Sequence, residues 1–124
     1  MRNFKDLFVW KKAHELVLLI YRLTSVFPKN EQYGLTGQLR RSATSIPTNI
    51  AEGCGRNSQA DFARFLQISF GSSQEVEYLS LLSFDLGYIK VNQYQDLNHQ
   101  VNEVKAMLIG LLAKVRKEFP GANL

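Results

Sequence analysis

Apolar residues recur every three or four positions through four long segments, which is the spacing of α-helices with one buried face. The segments cover about residues 7–27, 34–54, 58–86 and from 92 onward, with short breaks between them. No segment alternates apolar and polar residues over the length of a strand. Short connections between long helices favour antiparallel neighbours. The pattern therefore predicts an all-α fold, an antiparallel up-down-up-down four-helix bundle, as one domain over residues 1–124.

The apolar positions of each segment form a stripe that is predicted to face the core. In the first two helices the stripes comprise Val9, Ala13, Leu16, Val17, Ile20 and Phe27, and then Leu35, Leu39, Ala43, Ile46 and Ile50. The fourth helix repeats apolar residues at heptad a and d positions: Leu97, Val101, Val104, Leu108, Leu111 and Val115.

Residues with capping chemistry stand at the predicted helix ends. Asp6 and Ser58 are placed to accept from free N–H groups at the starts of the first and third helices. Asn92 with Gln95 three residues later has capping-box spacing at the start of the fourth. Pro28 closes the first helix, because the residue before a proline is driven from helical backbone angles.

The second helix contains Pro47, which cannot donate to the carbonyl of Ala43 and collides with it. One interpretation is a helix that is kinked at Pro47. The other is a helix that breaks at Ser45 and Ile46 and restarts at the proline. We favour the kink because the apolar spacing continues from Ile46 to Ile50.

From residue 76 in the third helix to residue 89 just beyond its end, the sequence is apolar on most sides. Its predicted polar face is thin and comprises Glu77, Ser80, Ser83 and Asp85. A helix in a four-helix monomer buries one stripe, so the surplus predicts a subunit interface. The candidate interface residues are Tyr78, Leu81, Phe84 and Tyr88.

A polar stripe on the second helix faces another on the third, which predicts a seam that fixes the register of the two helices. The seam comprises Arg41, Ser45, Asn49 and Glu52 with Ser72 and Glu75. With the turn centred near residue 57, Arg41 is expected within ion-pair distance of Glu75, and Glu52 close to Arg64.

Charge is distributed unevenly along the chain, whose net charge is +4. Residues 1–64 hold ten Lys and Arg against five Asp and Glu. This asymmetry points to an acidic partner such as RNA or DNA, and the alternative is a solvated basic face. Lys11 and Arg22 are eleven positions apart and share a helix face, with Lys12 near its edge. The candidate nucleic-acid contacts are Lys11, Lys12, Arg22, Arg40, Arg56 and Arg64.

Residues that support catalysis or bind a cofactor are scarce. Neither His14 nor His99 has partners at metal-ligand spacing, and there is no glycine-rich phosphate loop. Cys54 is the only cysteine, so no intrachain disulfide is possible and a reducing compartment fits. No apolar run approaches the ~20 residues of a membrane span. We expect a cytoplasmic protein without catalysis, metal or cofactor.

Several motifs together resemble a known bacterial family. They are Phe4-Lys-Asp-Leu7, Val9-Trp-Lys-Lys-Ala13, Tyr33-Gly-Leu35, Gln38-Leu-Arg-Arg-Ser42, Ser45-Ile-Pro-Thr-Asn-Ile-Ala-Glu-Gly53, Arg56-Asn-Ser58, Arg64-Phe-Leu66 and Gly71-Ser-Ser-Gln-Glu75. They are similar to motifs of the four-helix bundle family encoded in 23S ribosomal RNA intervening sequences, and the match spans nearly the whole chain.

This resemblance implies a four-helix subunit in a ring-like homopentamer. Accessory proteins of diversity-generating retroelements are similar, and they bind nucleic acid and a reverse transcriptase. Two functions are therefore compatible with the sequence. One is a nucleic-acid-binding accessory protein that contacts RNA or DNA phosphates, and the alternative is a protein-protein scaffold or adaptor without nucleic-acid binding.

Overall fold

The computed structural model describes residues 2–119 and confirms the all-α four-helix architecture. Its helices are α1 (Phe8–Thr24), α2 (Leu35–Cys54), α3 (Gln59–Asp85) and α4 (Val91–Glu118). Short 3-10 helices at Phe4–Asp6 and Lys29–Glu31 precede α1 and α2. There is no strand between residues 2 and 119, and no helix there is long and apolar enough to cross a lipid bilayer.

The four helices pack as a square. Each helix lies beside the next along the chain and α4 lies beside α1, whereas the backbones of diagonal helices are farther apart within residues 2–119. The square therefore has four sides: α1–α2, α2–α3, α3–α4 and α4–α1. The backbone N–H of Arg2 donates to the carbonyl of Cys54 at 3.0 Å, which ties the beginning of the chain to the end of α2. We call this the lower end of the bundle, where α1 and α3 begin and α2 and α4 end.

The core follows the predicted stripes. All the predicted apolar residues of the first two helices are buried, including Phe27 beyond the end of α1. In α4 the stripe differs at one position, because Leu112 is buried while Leu111 is only partly buried. A real α-helix turns slightly away from a strict heptad, which brings the later residue to the core.

Two helix starts differ from their predicted positions. Asp6 lies in the 3-10 helix and caps nothing, since α1 begins at Phe8 without a side-chain cap. The predicted Asn92–Gln95 capping box is also wrong, because α4 begins at Val91 and the Lys90 N–H donates to Gln93 Oε1 at 2.8 Å. The cap predicted for α3 is confirmed: Ser58 Oγ accepts from the Asp61 N–H at 3.1 Å.

The first helix ends at Thr24, three residues before the predicted end at Phe27. Thr24 Oγ1 donates to the Ile20 carbonyl at 2.7 Å, and Ser25 Oγ donates to the Arg22 carbonyl at the same distance. The Arg22 carbonyl, which would accept from residue 26 in a longer helix, accepts from Ser25 instead. Pro28 lies beyond this end of the helix, separated from it by Ser25, Val26 and Phe27.

Helix α2 continues through Pro47, so the interpretation with a break at Ser45 and Ile46 is wrong. Pro47 is itself buried, and Ser69 Oγ on α3 donates to the neighbouring Ile46 carbonyl at 2.9 Å. This bond ties α3 to the proline-containing turn of α2. The kink at Pro47 stays a prediction.

Helices α2 and α3 approach very closely near the lower end, at Gly53. A Cβ on this glycine would lie 2.9 Å from Phe65 Cβ and 3.2 Å from Phe62 Cδ1. Both phenylalanines are buried against other core residues and have little room to retreat. The glycine is thus required here for the approach of the two helices.

We predict that Gly53→Ala destabilises the protein by about 1–3 kcal/mol, because the added methyl overpacks the contact with Phe65. The matched control is Gly110→Ala in α4, where an added Cβ meets nothing within 4 Å. That change should stabilise by about 0.5–1 kcal/mol through its better helix propensity. Urea unfolding followed by circular dichroism measures both changes. A Gly53→Ala midpoint at or above that of the unaltered protein contradicts the close-packing argument.

An ion pair joins α3 to α4 on their shared side. Lys105 Nζ donates to Glu77 Oε1 at 2.8 Å, and Asn102 Nδ2 donates to Glu77 Oε2 at 2.9 Å. The bond from Lys105 holds the pKa of Glu77 below its usual range, and partial burial opposes this shift. A carboxyl whose pKa is lower in the folded state stabilises the fold above its unfolded-state pKa. That contribution is lost as the pH falls through the folded-state value.

We predict that Glu77→Gln lowers the free energy of unfolding by less than about 1 kcal/mol at pH 7, since the pair is partly exposed. The gap to the unaltered protein should close as the pH is lowered through the folded-state pKa of Glu77, because the carboxyl group is then protonated in both states. Glu15→Gln is the control, because its contact with Lys12 is long, at 3.8 Å, and exposed. Urea unfolding at several pH values tests this, and a gap that is constant with pH argues against it.

Candidate nucleic-acid interface

The structure divides the predicted basic contacts between the two ends of the bundle. Arg56 and Arg64 flank the α2–α3 turn at the lower end, whereas Arg22 and Arg40 lie at the upper end, where α1 ends and α2 begins. Lys11 is exposed on α1. The six residues therefore do not form one continuous surface within a subunit.

Two of these residues make contacts inside the chain. Lys12 is partly buried, with Nζ 3.5 Å from Glu103 on α4, so it does not belong to an exposed face with Lys11. Arg40 Nε donates to Thr24 Oγ1 at 2.8 Å, and its guanidinium lies 4.4 Å from the centroid of the Tyr21 ring. Both side chains hold α1 to a neighbouring helix.

Arginines at the lower end lie over buried aromatic rings. The guanidinium carbons of Arg56 and Arg64 are 4.7 and 4.8 Å from the centroid of Phe65. That of Arg2 lies 4.2 Å from the centroid of Phe62. Such cation-π contacts orient a guanidinium without using its N–H donors. We call Arg2, Arg56 and Arg64 the arginine cluster.

Local sequence explains how the cluster forms. The Ser58 cap starts α3 directly after the turn, and the three-residue spacing of Phe62 and Phe65 directs both rings toward α2. Arg64 lies beside Phe65 on the exposed edge. Arg2 reaches the same place because its backbone is bonded to Cys54.

Most of the cluster's charge is not neutralised. Arg64 lies 3.5 Å from Asp61, in a pair whose side chains are both about half exposed. Arg2 Nη1 donates to the neutral Gln59 side chain at 3.0 Å. Between residues 2 and 119, neither Arg2 nor Arg56 forms an ion pair with a carboxylate. The cluster thus presents oriented cationic donors to solvent.

Sequence reasoning missed Arg2, which is sixty residues from its ring partner. A lone arginine before the first helix carries no periodic signal, and only the backbone bond to Cys54 places it. The aromatic partners were missed too, because nothing in the sequence distinguishes Phe62 and Phe65 from ordinary core residues. They are indeed buried, so their faces are covered by arginines rather than open to bases.

The single cysteine lies beneath this end of the bundle and offers no reactive thiol. Burial raises the pKa of the Cys54 thiol, and the nearby charge of Arg2 only partly offsets this. A protonated, buried thiol is a poor nucleophile. No group of three or more His, Cys, Asp or Glu side chains within residues 2–119 is placed to hold a metal ion.

The predicted polar seam between α2 and α3 has hydrogen bonds between neutral side chains, but the predicted ion pairs do not form. The hydroxyls of Ser45 and Ser72 lie 2.8 Å apart, and Asn49 Nδ2 donates to Ser45 Oγ at 2.9 Å. The ion pair predicted between Arg41 and Glu75 is wrong, since both are exposed and unpaired with each other.

Glu52 and Arg64, which are predicted to lie close together, form no ion pair within residues 2–119. Arg64 pairs instead with Asp61, one turn away on its own helix. Exposed pairs are worth a few tenths of a kcal/mol, so helix spacing alone does not select one partner over another.

The predicted polar face of α3 does not face solvent along the upper half of the helix. Ser80 and Ser83 are fully buried, and their hydroxyls donate to the carbonyls of Val76 and Leu79 within the helix. The small serines therefore face the core. The large side chains of Tyr78 and Leu81 face outward instead, 60% and 41% exposed.

The other two candidate interface residues make contacts within the subunit. Phe84 stacks on Tyr94 of α4 with ring centroids 4.8 Å apart. Tyr88 packs on Phe27, and its hydroxyl donates to Glu31 Oε2 at 2.9 Å, which raises the pKa of Tyr88. Tyr88 thus fastens the upper end of its own subunit.

Comparison with known proteins agrees with this fold. A solved structure from Bacteroides thetaiotaomicron, a protein of unknown function from the S23 ribosomal protein family, is 28% identical to this chain. It superposes with a TM-score of 0.77 over 85% of this chain and 95% of that one. No curated protein sequence matches significantly. The family model for the 23S rRNA-intervening sequence protein matches residues 5–110. The chain therefore belongs to the family of 23S rRNA-intervening sequence proteins.

Proposed function

We propose that this protein is a non-catalytic, cytoplasmic, oligomeric helical bundle that binds nucleic acid through its phosphate backbone. The arginine cluster at the lower end carries the proposal. Arg2, Arg56 and Arg64 are oriented by aromatic rings, and only Arg64 has a carboxylate partner within residues 2–119.

The chemistry of the cluster fits phosphate better than it fits bases. A guanidinium presents a planar fork of donors that matches the oxygens of a phosphate. Stacking of bases needs exposed aromatic faces, and Phe62 and Phe65 are buried beneath the arginines. Binding is therefore expected to depend steeply on salt and little on nucleotide sequence.

Repetition of the cluster compensates for a modest charge per chain. A net charge of +4 is small for a single nucleic-acid-binding domain. The homopentamer implied by the family resemblance would repeat the cluster in every subunit. Closely spaced repeats raise the local potential above that of one subunit. The family's description names 23S rRNA intervening sequences, which makes a structured rRNA fragment the natural first probe.

We predict that replacing Arg2, Arg56 and Arg64 together by glutamine weakens binding of a structured RNA uniformly across sequences. Loss of three phosphate contacts should lower the slope of log affinity against log salt by about 2–3 per subunit. Fluorescence anisotropy between about 50 and 200 mM salt, with labelled RNA and duplex DNA, measures this.

The matched control replaces Lys11, Arg22 and Lys29 by glutamine, which removes the same charge from elsewhere on the bundle. It should leave the salt slope near that of the unaltered protein. Loss of binding in the control alone would assign the interface to the surface around Lys11, Arg22 and Lys29 instead. Absence of binding by the unaltered protein at low salt would favour the alternative, a protein-protein scaffold or adaptor.

A further inference from the structure

A cleft runs between α3 and α4 from the lower end of the bundle toward its middle. Its lower part has a volume of about 380 Å³ and presents the polar side chains of Arg64, Gln67 and Arg116. Its upper part, of about 210 Å³, shares Gln67 and Arg116 with the lower part and is otherwise apolar, with Phe70 and Ile109 in its wall. A cationic part therefore adjoins an apolar part. We call the two together the cleft.

The charge of the cleft is positive and comes from two helices. Arg64 on α3 has only its exposed contact with Asp61, at 3.5 Å, and Arg116 on α4 forms no ion pair within residues 2–119. Among the described residues, no Asp or Glu lines either part of the cleft. The cavities on the α1–α2 side and on the upper α3–α4 side differ in this respect, because their walls include Glu52 and Glu77. The cleft is thus suited to an anionic ligand.

Donors in the cleft are left without acceptors in the subunit. Arg116 Nη2 donates to Gln67 Oε1 at 3.2 Å, but Arg116 Nε is buried without a hydrogen-bond partner among residues 2–119. Because its oxygen accepts from Arg116, Gln67 has its amide NH₂ group left as a donor. A buried N–H without an acceptor is unfavourable, so a ligand whose oxygen draws the guanidinium toward it gains affinity.

We propose that the cleft binds a nucleotide by its terminal phosphate, which lies between Arg64 and Arg116. A terminal phosphate carries about −1.5 to −2 charges near pH 7, which suits two guanidinium groups better than the single charge of a phosphodiester. The inference rests on the proposed function for its class of ligand. It adds a second site, which recognises a phosphate that the backbone of a strand does not carry.

The apolar part of the cleft accounts for the rest of the nucleotide. Ile109 is 54% exposed, and Phe70 is partly buried against the core. Ligand sites of a few hundred Å³ are mostly apolar, with a few polar groups that fix the orientation of the ligand. With the phosphate at the arginines, the sugar and base lie against Ile109 and Phe70. Apolar contact does not read the hydrogen-bonding edges of a base, so little preference among bases is expected.

Calorimetric titration of the full chain with adenosine 5′-monophosphate tests the phosphate contact. Adenosine, which lacks the phosphate, should bind at least tenfold more weakly. Arg116→Gln should weaken binding of the monophosphate at least tenfold. Lys114→Gln is the matched control, since it removes the same charge from the same turn of α4 but lines neither part of the cleft. Circular dichroism establishes that both variants are folded. Equal loss in both, or no loss in Arg116→Gln, overturns the proposal.

The apolar contact is tested by Ile109→Ser, a change at an exposed position. It should weaken binding of the monophosphate severalfold and leave binding of inorganic phosphate unchanged, because phosphate alone reaches only the lower part of the cleft. Equal weakening of both ligands, or of neither, contradicts the placement of the base.

Competition distinguishes a free nucleotide from the end of a strand. Labelled monophosphate is displaced with two short oligonucleotides of one sequence, one ending in a 5′-phosphate and the other in a 5′-hydroxyl. Displacement by the phosphorylated strand alone identifies a strand end as the occupant, and displacement by neither identifies a free nucleotide. Both results support the cleft. Equal displacement by both strands shows recognition of internal phosphates and overturns the proposal.

Failure of this inference differs from failure of the proposed function. Binding of structured RNA without binding of the monophosphate refutes the cleft and leaves the arginine cluster standing. Binding of the monophosphate that depends on Arg116, without binding of structured RNA, refutes the proposed function and supports the cleft.

Discussion

The close approach of α2 and α3 near the lower end is the constraint on which the rest of the structure depends. Gly53 lets the α2 backbone approach Phe65, and Ser69 bonds the two helices at the carbonyl before Pro47. This contact fixes where Phe62 and Phe65 lie. The arginine cluster in turn depends on those rings, because they orient guanidinium groups that would otherwise sample many rotamers in water.

The parts of the structure that arise from local periodicity were predictable from the sequence. The stripes of α1 and α2 are buried as expected, and Ser58 caps α3, because helix spacing and capping act over a few neighbouring residues. Contacts between residues distant in sequence were not predictable in this way. Arg2 reaches Phe62 because its backbone bonds to Cys54, and Arg64 pairs with Asp61 rather than with Glu52. Alternative exposed ion pairs differ so little in free energy that helix spacing does not predict which one forms.

The orientation of α3 shows why a helix that is apolar on most sides resists interpretation. Hydropathy assigns Ser80 and Ser83 to the surface, yet both satisfy their hydroxyls within the helix and then pack at little cost in the core. Their small size brings α3 near its neighbours. Tyr78 and Leu81 are thereby displaced to the outside. Of the four candidate interface residues, Tyr78 and Leu81 are exposed, whereas Phe84 and Tyr88 pack within the subunit, and the interface itself stays a prediction.

Repetition of the arginine cluster links assembly to the proposed chemistry at the lower end. A single cluster of three arginines, one of them paired with Asp61, gives a potential that salt screens within about 10 Å. In the ring-like homopentamer that the family resemblance implies, symmetry would place every cluster at the same end of the ring, so one polyanion could contact several at once. The effective concentration of each further contact then exceeds that of free binding partners. A monomer would lose this gain, so the affinity for nucleic acid would depend on assembly as well as on the three arginines.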